Sequence, residues 1–217
     1  MQNLSPTAIM IADGSYHDVY DLKPQSFSLE NIAIALGNLT RWGGHLGTLH
    51  KRDMRNASPI RGYDQQDIRF KSNFYSVAEH SVIGAKYHLH KEEKELAKLF
   101  LLHDAAEPFV GGDIPTPLKN HLPKIFDWEK SIQDILIDSY NLKGSFEDIK
   151  ETDKRICRNE CIGLYDDEAE WALDIQPLCY ENGFDRTLIK LHKWSPQQAM
   201  NEWYTLATKL GLKNKYA

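Results

Sequence analysis

The chain has 217 residues, of which 41% are hydrophobic and 26% are charged, and its formal net charge is −5. The length fits one domain with a substantial core, so we predict a single domain over residues 1–217. The mild acidity argues against stable nucleic-acid binding by the whole surface. No uninterrupted apolar run exceeds five residues, which excludes a membrane span.

The composition also indicates the compartment. The chain has three cysteines, too few for a disulfide framework, and its first residues lack the basic and apolar segments of a secretory signal. We therefore expect a cytoplasmic, reduced protein. Small helical enzymes often form symmetric assemblies, so a homo-oligomer remains open.

The first 26 residues predict a small N-terminal β-hairpin. Asp13-Gly14 stands between the stretches AIMIA and YHDVYDL, and Asp-Gly is a hairpin turn signal. Ser28 then caps a helix with apolar positions at Ile32, Leu36 and Leu39. We expect RWGGH, residues 41–45, to close that helix.

Residues 46–72 show no clear period and predict a long loop. Loops of this length inside compact domains are uncommon and tend to be functional or mobile. This one is basic, because six Lys and Arg residues outnumber three aspartates: Lys51, Arg52, Arg55, Arg61, Arg69 and Lys71 against Asp53, Asp64 and Asp67.

Helical signals dominate the remainder of the chain. Ser76 and Glu79 form a capping box that starts a helix at Val77. A third helix is expected from about Glu92 to Glu107, ended by Pro108. Three more follow from their apolar stripes: one around Ile125, Trp128, Ile132, Ile135 and Leu136, one along Ile149, Asp153, Ile156, Glu160 and Leu164, and one from Ser195 to Gly211. The predicted fold is an all-α helical bundle.

Three of these apolar faces carry a polar group where burial is expected: His80, the pair His103/Glu107, and Asp153. An isolated carboxylate in a core costs several kcal/mol or takes up a proton. One divalent cation could satisfy all three faces, with Asp104 beside His103 as a fourth ligand. Imidazole and carboxylate ligands suit zinc, cobalt, manganese, iron or nickel alike. A single helical histidine is usually a hydrogen-bonded core residue, so it is the combination that favours a metal.

The motifs SVAEHS, LLHDAAE, GDIPTPLK and ETDKRI resemble those of the HD-domain phosphohydrolases. More narrowly, they are similar to the bacterial and phage branch of 5'-deoxynucleotidases and deoxynucleoside triphosphohydrolases, in order from about Ser28 to Leu164. The resemblance implies an HD-type helical fold with one divalent metal held by His80, His103, Asp104 and Asp153. It also implies that Glu107 and Asp113 are catalytic acids and that Arg41 and Trp42 line a nucleotide pocket.

Each of these roles has a structural alternative. Glu107 could take a proton from a metal-bound water or merely hydrogen-bond His103. Asp113 could protonate the leaving oxygen or cap a turn before Pro115. Arg41 and Trp42 offer a guanidinium for phosphate and a ring for a base. His45 and Lys119 could contact substrate or be solvated.

The predicted function is metal-dependent hydrolysis of a small-molecule deoxynucleotide. The basic loop favours a triphosphohydrolase, such as a dATPase, because a triphosphate carries more negative charge. Two other enzyme functions remain open: a 5'-deoxynucleotidase that releases phosphate from deoxynucleoside monophosphates, and a signalling-nucleotide hydrolase. A non-enzymatic binding module that keeps a structural metal is the third alternative.

Overall fold

The computed structural model describes residues 6–45, 47–48, 71–72, 74–119, 121–165, 175–182 and 185–216. The basic residues of the predicted loop at positions 51–69 lie outside the described residues. The described part of that loop forms a short antiparallel ladder of two strands, in which Gly47 pairs with Ser72 and Thr48 with Lys71.

The described residues form a mainly helical structure, as expected from the sequence. The helices are α1 (Leu29–Asn38), α2 (Val77–His90), α3 (Lys94–Leu102), α4 (Glu107–Val110), α5 (Thr116–Lys119), α6 (Pro123–Ser139), α7 (Lys150–Tyr165) and α8 (Pro196–Leu210). The strands are β1 (Ala8–Met10), β2 (Tyr16–Asp18), β3 (Gly47–Thr48), β4 (Lys71–Ser72), β5 (Cys179–Asn182) and β6 (Asp185–Leu188). Within the described ranges, no helix has both the length and the apolar content needed to cross a bilayer.

The hairpin predicted near the N-terminus is confirmed, with Ala8 paired to Asp18 and Met10 to Tyr16. A second hairpin, β5–β6, was not predicted and pairs Cys179 with Leu188. Its sequence contains Asn182-Gly183, a dipeptide that favours tight hairpin turns. The sequence patterns predicted no element between the helix along Ile149 and Leu164 and the cap at Ser195.

Helix α2 lies at the centre of the core. Its residues from Val77 to Ala85 are all buried, and it packs against α3 and α8. Gly84 allows the close approach of α3, because a Cβ atom at this position would lie 2.1 Å from the ring of Phe100. This packing brings the end of α3 next to the first turn of α2.

Two predicted helix boundaries need correction. The third helix ends at Leu102, and a turn over residues 103–106 separates it from α4. Pro108 therefore lies in the first turn of α4, where its missing N–H costs no hydrogen bond. RWGGH does not close α1, which ends at Asn38. Its Trp42–Gly44 segment forms a separate turn.

The caps at Ser28, Ser76 and Ser195 are confirmed, since each serine side chain accepts the N–H three residues on. Glu79, however, does not complete a capping box at Ser76. Its buried carboxylate accepts three backbone N–H groups, from His192 at 2.6 Å, Lys193 at 2.9 Å and Trp194 at 2.7 Å. Glu79 thus fixes the segment before α8 onto α2.

Candidate metal centre

Three elements bring the four predicted metal ligands together. His80 lies in the first turn of α2, His103 and Asp104 in the turn after α3, and Asp153 on α7. The Nε2 atom of His80 is 3.4 Å from Nε2 of His103 and 3.1 Å from Oδ1 of Asp153. His103 Nε2 is 3.1 Å from Asp104 Oδ1 and 3.9 Å from Asp153 Oδ1. Because residues 103–106 form a turn, the adjacent side chains of His103 and Asp104 can both approach His80.

In each imidazole, the Nδ1 nitrogen, which faces away from the other histidine, already makes a hydrogen bond. His80 donates from Nδ1 to Glu160 Oε1 at 2.6 Å, and His103 donates from Nδ1 to the carbonyl oxygen of Phe100 at 2.7 Å. Because both acceptors require an N–H on Nδ1, the neutral rings present Nε2 lone pairs to each other.

The inner atoms of this cluster are therefore all acceptors when the imidazoles are neutral. The two Nε2 atoms and Oδ1 of Asp153 lie within 3.1–3.9 Å of one another, whereas Asp104 places a different oxygen near each histidine, at 3.1 and 3.7 Å. Ligand atoms ~2.0–2.2 Å from one metal ion stand about 3–3.6 Å apart, which this spacing nearly matches. The donor set fits a divalent cation, and a possible metal-binding triad of His80, His103 and Asp153 follows from the same geometry.

Without a metal, a proton can supply the missing positive charge. Burial and Arg41 oppose protonation of His80, but Glu160 and Asp153 outweigh them and raise the pKa of its imidazole to about 9. Burial would raise the pKa of Asp153, yet the hydrogen bond and the charge of His80 keep it below its usual value. In the metal-free protein, a proton on His80 therefore offsets negative charge in the cluster.

Glu160 on α7 is the residue that orients the first histidine. Its carboxylate is fully buried and also accepts from the Tyr75 hydroxyl at 3.1 Å and the Trp42 indole N–H at 3.1 Å. Arg41 lies 3.5 Å from the same carboxylate. Burial opposes ionisation, but Arg41 and His80 hold the pKa of Glu160 below its usual value.

Arg41 is buried between three acidic groups. Besides Glu160, its guanidinium lies 3.4 Å from Asp104 Oδ2 and 4.0 Å from Asp113 Oδ1. It also donates to the Cys157 thiol at 3.3 Å. The guanidinium therefore neutralises carboxylates around the cluster, and its Nε is a buried donor with no partner among the described residues.

The turn after Arg41 is held in an unusual backbone conformation. Trp42 has φ = 60°, in the left-handed region that costs a bulky residue of order 1–3 kcal/mol, and Gly43 continues it at φ = 58°. Asp113 Oδ2 accepts the Trp42 backbone N–H at 2.7 Å. Asp113 thus holds the backbone of Trp42, and Glu160 holds its indole ring. His45 lies exposed where the turn ends.

Glu107 lies beside the cluster with an oxygen that has no partner. The side chain is 3% exposed, and Oε2 is a buried acceptor without a hydrogen bond among the described residues. Burial, Asp104 and Asp113 raise its pKa well above the usual value in the metal-free protein. Lys119 approaches to 3.8 Å from Oε1 but donates at 2.8 Å to Glu129.

The structure therefore brings nine predicted site residues into one region, with His45 on its exposed side: His80, His103, Asp104, Asp153, Glu107, Asp113, Arg41, Trp42 and Lys119. The sequence interpretation missed Glu160 and Glu129. The sequence did contain a signal for Glu160, because this residue lies on the same apolar stripe as Asp153. It contained no signal for Glu129, since one acidic residue on an amphipathic helix is ordinary.

No protein-family model matches the chain. A curated relative, the uncharacterized protein YfdR of Escherichia coli (strain K12), is 30% identical over 127 residues. That alignment covers 58% of this chain and 54% of YfdR, so the chain spans about half the length of the curated relative that it matches. The similarity indicates no activity for this chain, because the relative is itself uncharacterized.

Proposed function

We propose that this protein is a metal-dependent phosphohydrolase of deoxynucleotides. The observation that carries the proposal is the convergence of His80, His103 and Asp153 from three elements, with Asp104 beside them, next to a buried glutamate whose Oε2 has no hydrogen bond among the described residues. Metal ligands beside an unpaired acid are typical of hydrolytic sites. The sequence resemblance to HD-domain phosphohydrolases supplies the reaction class.

A bound divalent ion supplies positive charge to the phosphoryl oxygens and lowers the pKa of a bound water. The chain's own residues would do the remaining work. His80, His103, Asp104 and Asp153 would hold the ion, and Glu160 fixes the ring of His80. Glu107 can hold a proton at Oε2, and Asp113 keeps the turn at Trp42 in place.

The two described cations nearest the cluster are already paired. Arg41 contacts Asp104 and Glu160, and Lys119 contacts Glu129. This pairing favours a substrate of modest charge, so the described residues support a 5'-deoxynucleotidase. The triphosphohydrolase proposal depends on the basic residues of the loop at 46–72.

A panel of deoxynucleoside mono-, di- and triphosphates, each with manganese, cobalt, nickel, iron and zinc, tests the function. We expect hydrolysis that Asp104→Ala abolishes, because this variant loses an oxygen ligand. The phosphorus product separates the reactions: inorganic phosphate from a monophosphate, or tripolyphosphate from a triphosphate. A protein that binds the metal but hydrolyses no member of the panel would instead be a binding module or a signalling-nucleotide hydrolase.

A further inference from the structure

One lysine lies between two buried carboxyl groups at the edge of the candidate site. Lys119 ends α5, Glu107 begins α4, and Glu129 lies in the second turn of α6. The lysine Nζ is 2.8 Å from Glu129 Oε1 and 3.8 Å from Glu107 Oε1. The side chains are 18% exposed for Lys119, 9% for Glu129 and 3% for Glu107.

The two carboxyl groups compete for one ammonium group. Buried charges need partners, and a short N⁺–H···O⁻ contact near 2.8 Å is a strong charge-assisted hydrogen bond. At 3.8 Å the contact to Glu107 is an ion pair without a hydrogen bond. Glu129 therefore holds the lysine beside Oε1 of Glu107 without a hydrogen bond to it, and the other oxygen of Glu107, Oε2, has no hydrogen bond within the described ranges.

The charges match the geometry, because Lys119 and Glu129 form a pair of opposite charges at 2.8 Å and the ammonium group makes no hydrogen bond to Glu107 at 3.8 Å. If Glu129 lost its charge, the nearest remaining carboxyl group for Lys119 would be Glu107, about 1 Å beyond hydrogen-bond distance. A small movement of a lysine side chain would close that gap.

We propose that Glu129 is a positioning residue that holds the ammonium group of Lys119 away from Glu107 and so keeps the Glu107 carboxyl group free for proton transfer. The role of Glu107 in proton transfer rests on the proposed function. The competition of the two carboxyl groups for Lys119 does not depend on it. It assigns a function to a buried acidic residue of α6 that the metal cluster does not use.

The activity test compares three variants of the metal-loaded full chain. Glu129→Gln should lower kcat about tenfold, with KM and metal content unchanged, because Lys119 closes on Glu107. The double variant Glu129→Gln/Lys119→Gln should recover the kcat of Lys119→Gln alone, since no ammonium group remains to capture Glu107. Glu147→Gln, which breaks an exposed pair with Lys150, serves as the control and should change neither constant.

A purely structural role gives a different pattern. If the pair only attached α5 to α6, the two substitutions would lower kcat independently, and the double variant would be the worst of the three. That result, or an unchanged kcat in Glu129→Gln, would overturn the inference.

A second experiment measures stability and does not require that the protein hydrolyse a substrate. Denaturant unfolding of Glu107→Gln, Lys119→Gln and their double variant measures the coupling between these two residues. The coupling should be small in the wild-type background and at least about threefold larger in the Glu129→Gln background. If no phosphate ester is hydrolysed, the proposed function fails, and this cycle still decides the competition. An equal coupling in both backgrounds would overturn it.

Discussion

Two neighbouring residues of α2 show two ways of burying a polar side chain. Glu79 and His80 are both fully buried in the first turn. The carboxylate of Glu79 meets three N–H donors from the segment before α8. The inner nitrogen of His80 meets another imidazole nitrogen and two carboxylates. One group has complementary partners, and the other has only acceptors around it.

This difference distinguishes a polar group that stabilises the fold from a candidate binding site. A buried acceptor that is fully hydrogen-bonded contributes to stability, and its loss leaves donors unpaired. A set of converging acceptors needs a metal ion or a proton to offset its negative charge, which makes it a candidate site for a cation. Glu107 is an intermediate case, because its Oε2 has no donor among the described residues.

The largest expected effect concerns this unpaired oxygen. Glu107→Gln should keep the metal and the fold but lower kcat by ~10²–10⁴-fold if the residue transfers a proton. The measurement is steady-state kinetics on the best substrate, with metal analysis of the same sample. Near-normal turnover with the metal retained would give Glu107 a supporting role only.

Glu79→Ala should lower the stability of the protein rather than its turnover. It leaves three N–H groups without their acceptor, so we expect the free energy of unfolding to fall by about 3 kcal/mol. Denaturant unfolding measures this loss. Asp127→Ala, which removes an exposed acid of α6, is the control. A Glu79→Ala variant as stable as the wild type would contradict the structural role of the clamp.

The pH dependence distinguishes the metal-free from the metal-loaded cluster. The pKa of His80 is raised from 6.5 to about 9 without metal, so the stability that its proton supplies is present below pH 6.5 and is lost as the pH rises through 9. A metal ion bound through Nε2 of His80 would displace this proton, so metal affinity should rise about tenfold per pH unit below pH 9.

Chelator competition at several pH values between 6.5 and 9 measures this slope, and thermal unfolding of both forms measures the stability. We expect only the metal-free protein to lose stability over this range. A metal affinity that does not change with pH would show that no proton leaves His80.

The smallest effect is expected from the basic loop, whose residues 51–69 lie outside the described ranges. Replacing Lys51, Arg52 and Arg55 together by Gln should lower kcat/KM for dATP more than for dAMP, and less so at high salt. Exposed charges contribute only ~0.2–1 kcal/mol each. Their field is screened over ~8–10 Å at physiological ionic strength. Equal losses on both nucleotides would leave the loop without a role in substrate choice.

The sequence was informative where the cause is local. Three serine caps and the apolar stripes predicted where α1, α2 and α8 begin. His80, His103 and Asp153, which the structure brings together, were singled out because a polar residue on an apolar face is visible without coordinates.

Long-range partners could not be predicted in this way. Glu79 matches a local capping pattern, yet its donors lie more than 110 residues further along the chain. Glu160 has the same position on the α7 stripe as Asp153, but only the packing of α7 on α2 makes it the partner of His80. The turn at 103–106 escaped prediction because its sequence continues the helical stripe of α3.

Metal analysis of the purified protein tests the central claim most directly. After chelation and reloading with cobalt or zinc, the wild type should hold one ion per chain. His103→Ala should lose about 90% or more of it, because a ligand nitrogen is removed. His90→Ala, an exposed histidine at the other end of the same helix α2 as His80, should keep it. Equal metal content in the wild type and His103→Ala, or a wild type that binds no ion, would contradict the account.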